Sequence, residues 1–373
     1  LVNELSPLAG LSIGQRDLNP GIQNVSILTL EGQKYDSDLV NPVRSLFGNF
    51  DFSFVLVYMF PLLIIAFTYN LLSEEKENGT WKMIRISARS RAKFLLSKLS
   101  VRAIVVLMLM SFLTLLASLV LNIPIDASLM VYYILGVLYI LFWFTLSFWL
   151  MTLDLSSGFN ALAQLSICFF FVVLLPSIVN SAITNTYPIP EAFATMIKQR
   201  DGYHEKWDEA KRPTLEKFYA NYPQFEKYGF PSEQGFNWLW YYAMQYAGDE
   251  ESQIESAAMM DKIVKREQLS RGISSFFPPM HSLLAFNQLA ETSLQNHISF
   301  LDYTNKFHED IRLYFYPKIF DNKGIDQVDW SQFRPAYFKA EQKPVNWLVV
   351  LGPLLGCIIL YAGLSIPFLR NRV

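Results

Sequence analysis

Five stretches of the chain run for about 20 residues with no charge at their centres, the length a helix needs to cross a hydrocarbon core of about 30 Å. They cover 52–72, 94–121, 129–150, 158–180 and 345–368. In the second, the charges fall in the first turns. The composition agrees, with 52% hydrophobic and 17% charged residues among 373. The expected fold is therefore an all-α membrane protein with a large polar insert at 181–344. Mid-membrane Asp, Glu, Lys or Arg usually marks an ion or proton route, so this pattern disfavours a proton-driven pump.

Basic residues in the short loops set the orientation. The connector 73–93 holds Lys76, Lys82, Arg85, Arg89, Arg91 and Lys93, whereas 122–127 and 151–157 hold none. The tail adds Arg370 and Arg372. Placing 73–93 in the cytoplasm puts 122–127 outside, 151–157 inside, 181–344 outside and the tail inside. It also puts 1–51 outside, which requires a further span upstream of Leu1 and makes six.

Four regions follow: an extracytoplasmic segment 1–51, a helical membrane region 52–180, an extracytoplasmic helical domain 181–344, and a last span with a cytoplasmic tail at 345–373. In the insert, Asp249 has the position of an N-cap for EESQIESAAMMDKIVKREQL. A second helix is expected through SLQNHISFLDYTNKFHEDIRLYF, stopped near Pro317. Over 181–343 the insert has 18 Lys and Arg against 22 Asp and Glu, which argues against nucleic acid as a partner. IQNVSILTL, at 22–30, reads as an edge strand. Cys168 and Cys357 lie in apolar blocks and predict no structural disulfide.

The connector YNLLSEEKENGTWKMIRISARSRAKF turns the chain back into the membrane within about 20 residues. Gly79 suits the turn and Thr80 can cap the next helix. That helix, over 81–91, would lie flat at the interface. Trp81, Met83, Ile84 and Ile86 would touch lipid or protein. From the residues alone it is either a solvated loop whose cations enforce topology or a docking surface for a cytoplasmic partner.

The run NPVRSLFGNFDFSFVLVYMFPLLIIAFTYNLLSEEKENGTWKMI resembles the permease subunits of ABC exporters of the ABC-2 type (type V). In such permeases the span ends in a Glu-rich stretch and Gly-Thr, here Glu74, Glu75, Glu77, Gly79 and Thr80. A short coupling helix on the ATPase subunit follows, which assigns Trp81, Ile84 and Arg85 to that contact. SARSRAKFLLSKL resembles the return into the next span, ending in Lys98. FFPPMHSLLAFNQLAETSLQNHISFLDY is similar to a subfamily with a large periplasmic helical domain between the last two spans. Trp81 replaces the small aliphatic residue of many relatives. The resemblance covers most of 41–373. It implies cytoplasmic ABC ATPase subunits carrying ATP and Mg, and a second permease chain, identical or homologous. It also implies a bacterial inner membrane and room for a periplasmic or lipoprotein partner.

The chain has no G-x-x-x-x-G-K-[ST], so it holds no P-loop of its own, and no cofactor is expected in it. No catalytic residue or metal site is assigned. HEKWD at 204–208 lacks the second histidine of H-E-x-x-H. His297 and His308, eleven positions apart, share a helix face but are too distant for one metal. Within the spans, Thr114 and Ser118 (second) and Asn160, Gln164 and Ser166 (fourth) either bond between helices or line a path. Pro61 and Pro176 are expected kinks. Two other readings remain at this point: a membrane sensor or scaffold with a ligand-binding ectodomain, and a lipid-linked glycosyltransferase using Asp36 and Asp38.

Overall fold

In hydrocarbon, an unpaired backbone N–H or C=O is too costly to keep, so each apolar block closes its own hydrogen bonds as a helix. The computed structural model describes residues 1–370 apart from 20, 31–33, 35–49, 88–90, 154, 190–206, 208, 209, 325, 327, 331, 332 and 341–344. The side chains of 17, 85, 87, 91, 92 and 367–370 also lie outside that description. Among the described residues, five helices are long and apolar enough to cross a membrane: Phe52–Glu77, Lys93–Val120, Ala127–Thr152, Ser157–Thr186 and Trp347–Ile366.

In chain order the helices are α1 (Phe60–Thr68), α2 (Ser73–Glu77), α3 (Trp81–Ser87), α4 (Arg91–Val120), α5 (Ala127–Thr152), α6 (Ser157–Phe169) and α7 (Leu175–Thr186). The polar domain adds α8 (Lys211–Asn221), α9 (Trp238–Ser274), α10 (Pro278–Leu289) and α11 (Leu294–Phe320), and α12 (Trp347–Arg370) closes the chain. Two short parallel strands, β1 (Val2–Asn3) and β2 (Tyr337–Phe338), tie the N-terminus to the domain.

The centre of the bundle is α5. Of its apolar window 61% is buried, against 17% for Lys93–Val120 and for Trp347–Ile366 and 22% for Ser157–Thr186. The outer helices therefore turn most of their apolar surface away from the protein. A Cβ at Gly136 would meet Met110 Sδ at 3.0 Å, so α4 and α5 pack closely at this glycine.

The first span opens at Asp51, whose carboxylate accepts from Phe54 N at 2.6 Å and Ile13 N at 2.8 Å. Ahead of Pro61 and Pro176 the helix widens into a π-turn, at Val55–Met59 and Phe170–Leu174. Pro61 has no N–H for the carbonyl four residues back. That carbonyl, Val57 O, accepts instead from the Tyr139 hydroxyl at 2.8 Å. The π-turn and Tyr139 together keep the first span continuous across its proline.

The polar domain departs from its sequence reading in three places. Asp249 is not an N-cap. The helix starts at Trp238, capped by Asn237 Oδ1 accepting from Trp240 N at 3.2 Å, because the buried Leu239, Tyr242, Ala243 and Met244 carry it through. Pro317 does not stop α11, which runs to Phe320. Tyr316 lies in the aromatic core around Phe218 and Phe225, and Phe320 packs against it. IQNVSILTL forms no strand among its described residues. Ile22 makes one bridge to Val2, and Leu28 and Leu30 are held against α9 and α11.

That last contact has a polar centre. Asp249 accepts from Leu30 N at 2.8 and 3.1 Å and pairs with the buried Arg312. His308 Nε2 and Arg312 Nη2 both meet Leu28 O, at 2.7 and 3.2 Å. Burial, with the guanidinium beside it, pushes His308 down to about 3. The unfolded chain then takes up a proton first, so stability is full above the ordinary histidine range and falls as pH drops from about 6.5 toward 3. Unfolding of the domain, followed by tryptophan fluorescence, should cost about 2 kcal/mol less at pH 5 than at pH 7 from this group alone. His308→Gln should flatten that slope.

The domain is joined to the spans through α10 as well as by the chain itself. Phe286 packs on Tyr132 with ring centroids 4.5 Å apart, and His281 Nε2 meets Val350 O at 2.7 Å. Asn287 accepts from Ser12 Oγ at 2.6 Å. The N-terminal segment also closes on the loop after α4, with Gly10 beside Leu121. These contacts gather at one end of the bundle. The segment joining α2 and α3 lies at the other end, beside the start of α6.

Candidate functional site

Helix α1 ends with Thr68, whose hydroxyl donates to Ile64 O at 2.7 Å and to Gln164 Oε1 at 3.0 Å. Beyond it the chain makes an irregular turn and the short α2. Each carboxylate of SEEKE has a different partner. Glu74 accepts from Asn70 Nδ2 at 3.0 Å, bracing the exit from the first span. Glu75 accepts from the Thr80 hydroxyl and pairs with Lys98 on α4. Glu77 Oε1 accepts from Ser157 N at 3.0 Å and Ser157 Oγ at 2.7 Å, at the first turn of α6. An anion there complements the orphan N–H groups and the positive end of the helix. Ser157 Oγ is also 2.8 Å from Ser73 Oγ.

One short elbow is therefore bonded to the starts of two other spans. A further tie lies one turn deeper, where Arg102 of α4 donates to Phe67 O. Gly79 takes φ +75°, a left-handed conformation that a side chain disfavours. Thr80 does not cap α3 with its hydroxyl, which is spent on Glu75. Its carbonyl accepts from Met83 N at 3.0 Å and Ile84 N at 3.1 Å.

The short helix α3 has apolar residues on two faces. Trp81 packs against the bundle core with Lys76 Nζ 5.8 Å from its ring centroid, and Ile84 is half-buried. Met83 and Ile86 point the other way and are 73% and 88% exposed. The Arg85 side chain lies outside the described residues, as does Arg89.

Of the polar residues in the spans, Asn160 and Gln164 are buried one turn apart on the inner face of α6. Gln164 Oε1 joins Thr68 of the first span and Ser147 of α5, the latter at 3.0 Å. Asn160 Nδ2 donates to Leu155 O at 3.3 Å. Thr114 and Ser118 bond back to their own helix, to Met110 O at 2.9 Å and Thr114 O at 2.8 Å. Ser166 is on the exposed side of α6. The hub of this network is thus Gln164, with Thr68 and Ser147 as partners that sequence reasoning missed. It also missed Ser73 and Ser157. Ser156-Ser157-Gly158 before an apolar run is a recognisable helix start, but nothing local names Glu77 as its partner. The 36–38 motif lies outside the described residues, and so does HEKWD apart from Trp207.

The fold and this site define a multi-pass helical membrane protein in which a charged elbow joins the ends of three spans. A family model for ABC-2 family transporter proteins matches residues 28–196. A second, for a domain of unknown function (DUF3526), matches residues 193–338. The chain thus carries an ABC-2 transporter domain in its N-terminal half followed by a DUF3526 domain, an arrangement consistent with an ABC-2 permease that has an extra domain. No curated protein and no solved structure matches it.

Proposed function

We propose that this permease works as an ATP-driven exporter subunit, with α3 resting on a cytoplasmic ABC ATPase that binds ATP and Mg. Association with such an ATPase is what the family implies. The observation that carries the mechanism is the wiring of the elbow. Glu75 of α2 joins Thr80, just ahead of α3, to Lys98 of α4, and Glu77 and Ser73 of α2 join the elbow to Ser157 of α6. A displacement of α3 would thus move the entries of three spans together, a rigid-body input to the bundle. The six cations of 73–93 support a cytoplasmic elbow. The polar domain, at the opposite end, would then be periplasmic in a bacterial inner membrane.

A dimeric arrangement, with an identical or homologous second permease chain, is carried over from the resemblance. The outer face of α4 carries exposed Ile104, Met108, Phe112 and Leu115, surface for lipid or for a second permease chain. Export is the direction carried over from the resemblance. The domain would cap the exit or receive a periplasmic or lipoprotein partner. Copurification in mild detergent tests the reading: an ABC ATPase should come down with the full chain, and its consistent absence would refute the subunit assignment.

A further inference from the structure

A cavity of about 200 Å³ lies between the first and fourth spans, where α10 packs beside both. Its wall takes Val57 and Tyr58 from one π-turn and Phe171 and Val172 from the other. Met280 and Leu283 of α10 close the third side. The turn ahead of α10 reaches down to the second π-turn, with the rings of Phe277 and Phe171 6.4 Å apart. Widened helical turns of this kind gather at functional sites, and here two of them face one space. The space is at membrane depth: Tyr58 is about 9 Å along the first span from Phe52, at 1.5 Å per residue.

The chemistry of the walls selects the occupant. No described residue of the lining carries a charge, so a headgroup phosphate or ammonium has no partner there. The polar side chains of the lining are Tyr58, Asn180 and Ser270. Asn180 is one turn beyond Pro176 in the direction of the polar domain, and Ser270 belongs to α9 of that domain. The cavity is therefore polar and neutral toward the domain and apolar toward the middle of the bundle. An apolar cavity of about 150 Å³ holds a benzene ring, so this one has room for several methylenes. Exposed Met59, Val173 and Ile178 flank the lining on both spans, which turns the adjoining surface to hydrocarbon. We propose that this cavity takes the end of an acyl chain from a diacyl phospholipid in the leaflet on the domain's side, the chain lying between the two π-turns and its neutral ester oxygens toward Asn180 and Ser270. Selection is then by chain and not by headgroup. This goes beyond the transporter reading and stands without it, since no nucleotide, ATPase or direction of transport enters the argument or the test.

The full chain, in detergent micelles with a trace of phosphatidylcholine bearing a diazirine near the end of one acyl chain, is irradiated, digested and mapped by mass spectrometry. Label is expected on Met280 and Leu283 and on the 171–172 segment. Excess unlabelled phosphatidylcholine or phosphatidylglycerol is then added, kept dilute in the detergent so that the layer around the outer helices hardly changes. Each should lower cavity label about tenfold and leave label on the outer face of α4 in place. Met280→Trp fills the cavity and Asn180→Trp obstructs its polar end. Each should lower cavity label about tenfold, the effect of excluding about two methylenes. Label confined to the outer faces of the spans would overturn the proposal. So would cavity label that excess lipid does not displace, that only one of the two headgroups displaces, or that neither variant moves. The displacement with the unaltered chain decides the matter even if a variant fails to fold.

Discussion

Met83→Asp together with Ile86→Asp is expected to leave the protein folded and inserted, yet to lower the stimulated ATPase activity of the assembled transporter tenfold or more. These two side chains are 73% and 88% exposed on α3, so a charge there is largely solvated in the isolated chain. In the proposed complex the same positions would be buried against the ATPase. Losing an apolar anchor at the centre of an interface costs about 2 kcal/mol or more, and an unpaired buried charge adds to it. Trp81→Ala should behave differently. Trp81 packs against the core, so its loss should lower the thermal midpoint of the permease itself. Basal ATPase activity, stimulated activity and melting, measured on the same preparations, separate the two faces. Full stimulation in the double variant would remove α3 from the coupling role.

Arg312→Met is expected to give the largest loss of stability in the polar domain, about 3–5 kcal/mol. The change leaves the Asp249 carboxylate buried without its cation and takes a donor from Leu28 O. The methionine fills much of the same volume, so the cost is electrostatic rather than a cavity. A domain of this size should then melt roughly 10 °C lower. Adding Asp249→Leu should recover part of the loss, because an apolar pair in place of a buried ion pair is often close to neutral. Full recovery is not expected, since Leu30 N loses its acceptor. Thermal unfolding followed by tryptophan fluorescence gives both numbers. A double variant less stable than Arg312→Met alone would show that Asp249 acts chiefly through Leu30, not through the ion pair.

The spans were legible because hydrophobic length is a local property. Each apolar block became a helix, and the fourth ran on to Thr186 because α7 continues alongside α9. The elbow was legible from Glu74 to Thr80 by its charge and by Gly79. What its charges do was not. Glu77 and Ser157 are 80 positions apart, and no periodicity links them. Nor did the apolar residues of α3 say which face meets the bundle: Trp81 and Ile84 share one side, Met83 and Ile86 another, and only the packing distinguishes them. Asp249 failed as a cap for the same reason. Its environment comes from Leu30 and Arg312, which lie far from it in sequence, while the buried aromatic run before it overrides the local signal. Gln164 was legible as a polar residue in a span, and only the structure shows that it bonds to Thr68 and Ser147.

The most direct test of the account places a photoreactive residue at position 86 in the full chain and irradiates intact cells or sealed vesicles. The account predicts a cross-link to an ABC ATPase, with a yield that changes when nucleotide binds. It also predicts that a cysteine at the same position is blocked only by reagents that cross the membrane. No cross-link to an ATPase, together with labelling of that cysteine by a membrane-impermeant reagent from outside, would contradict it.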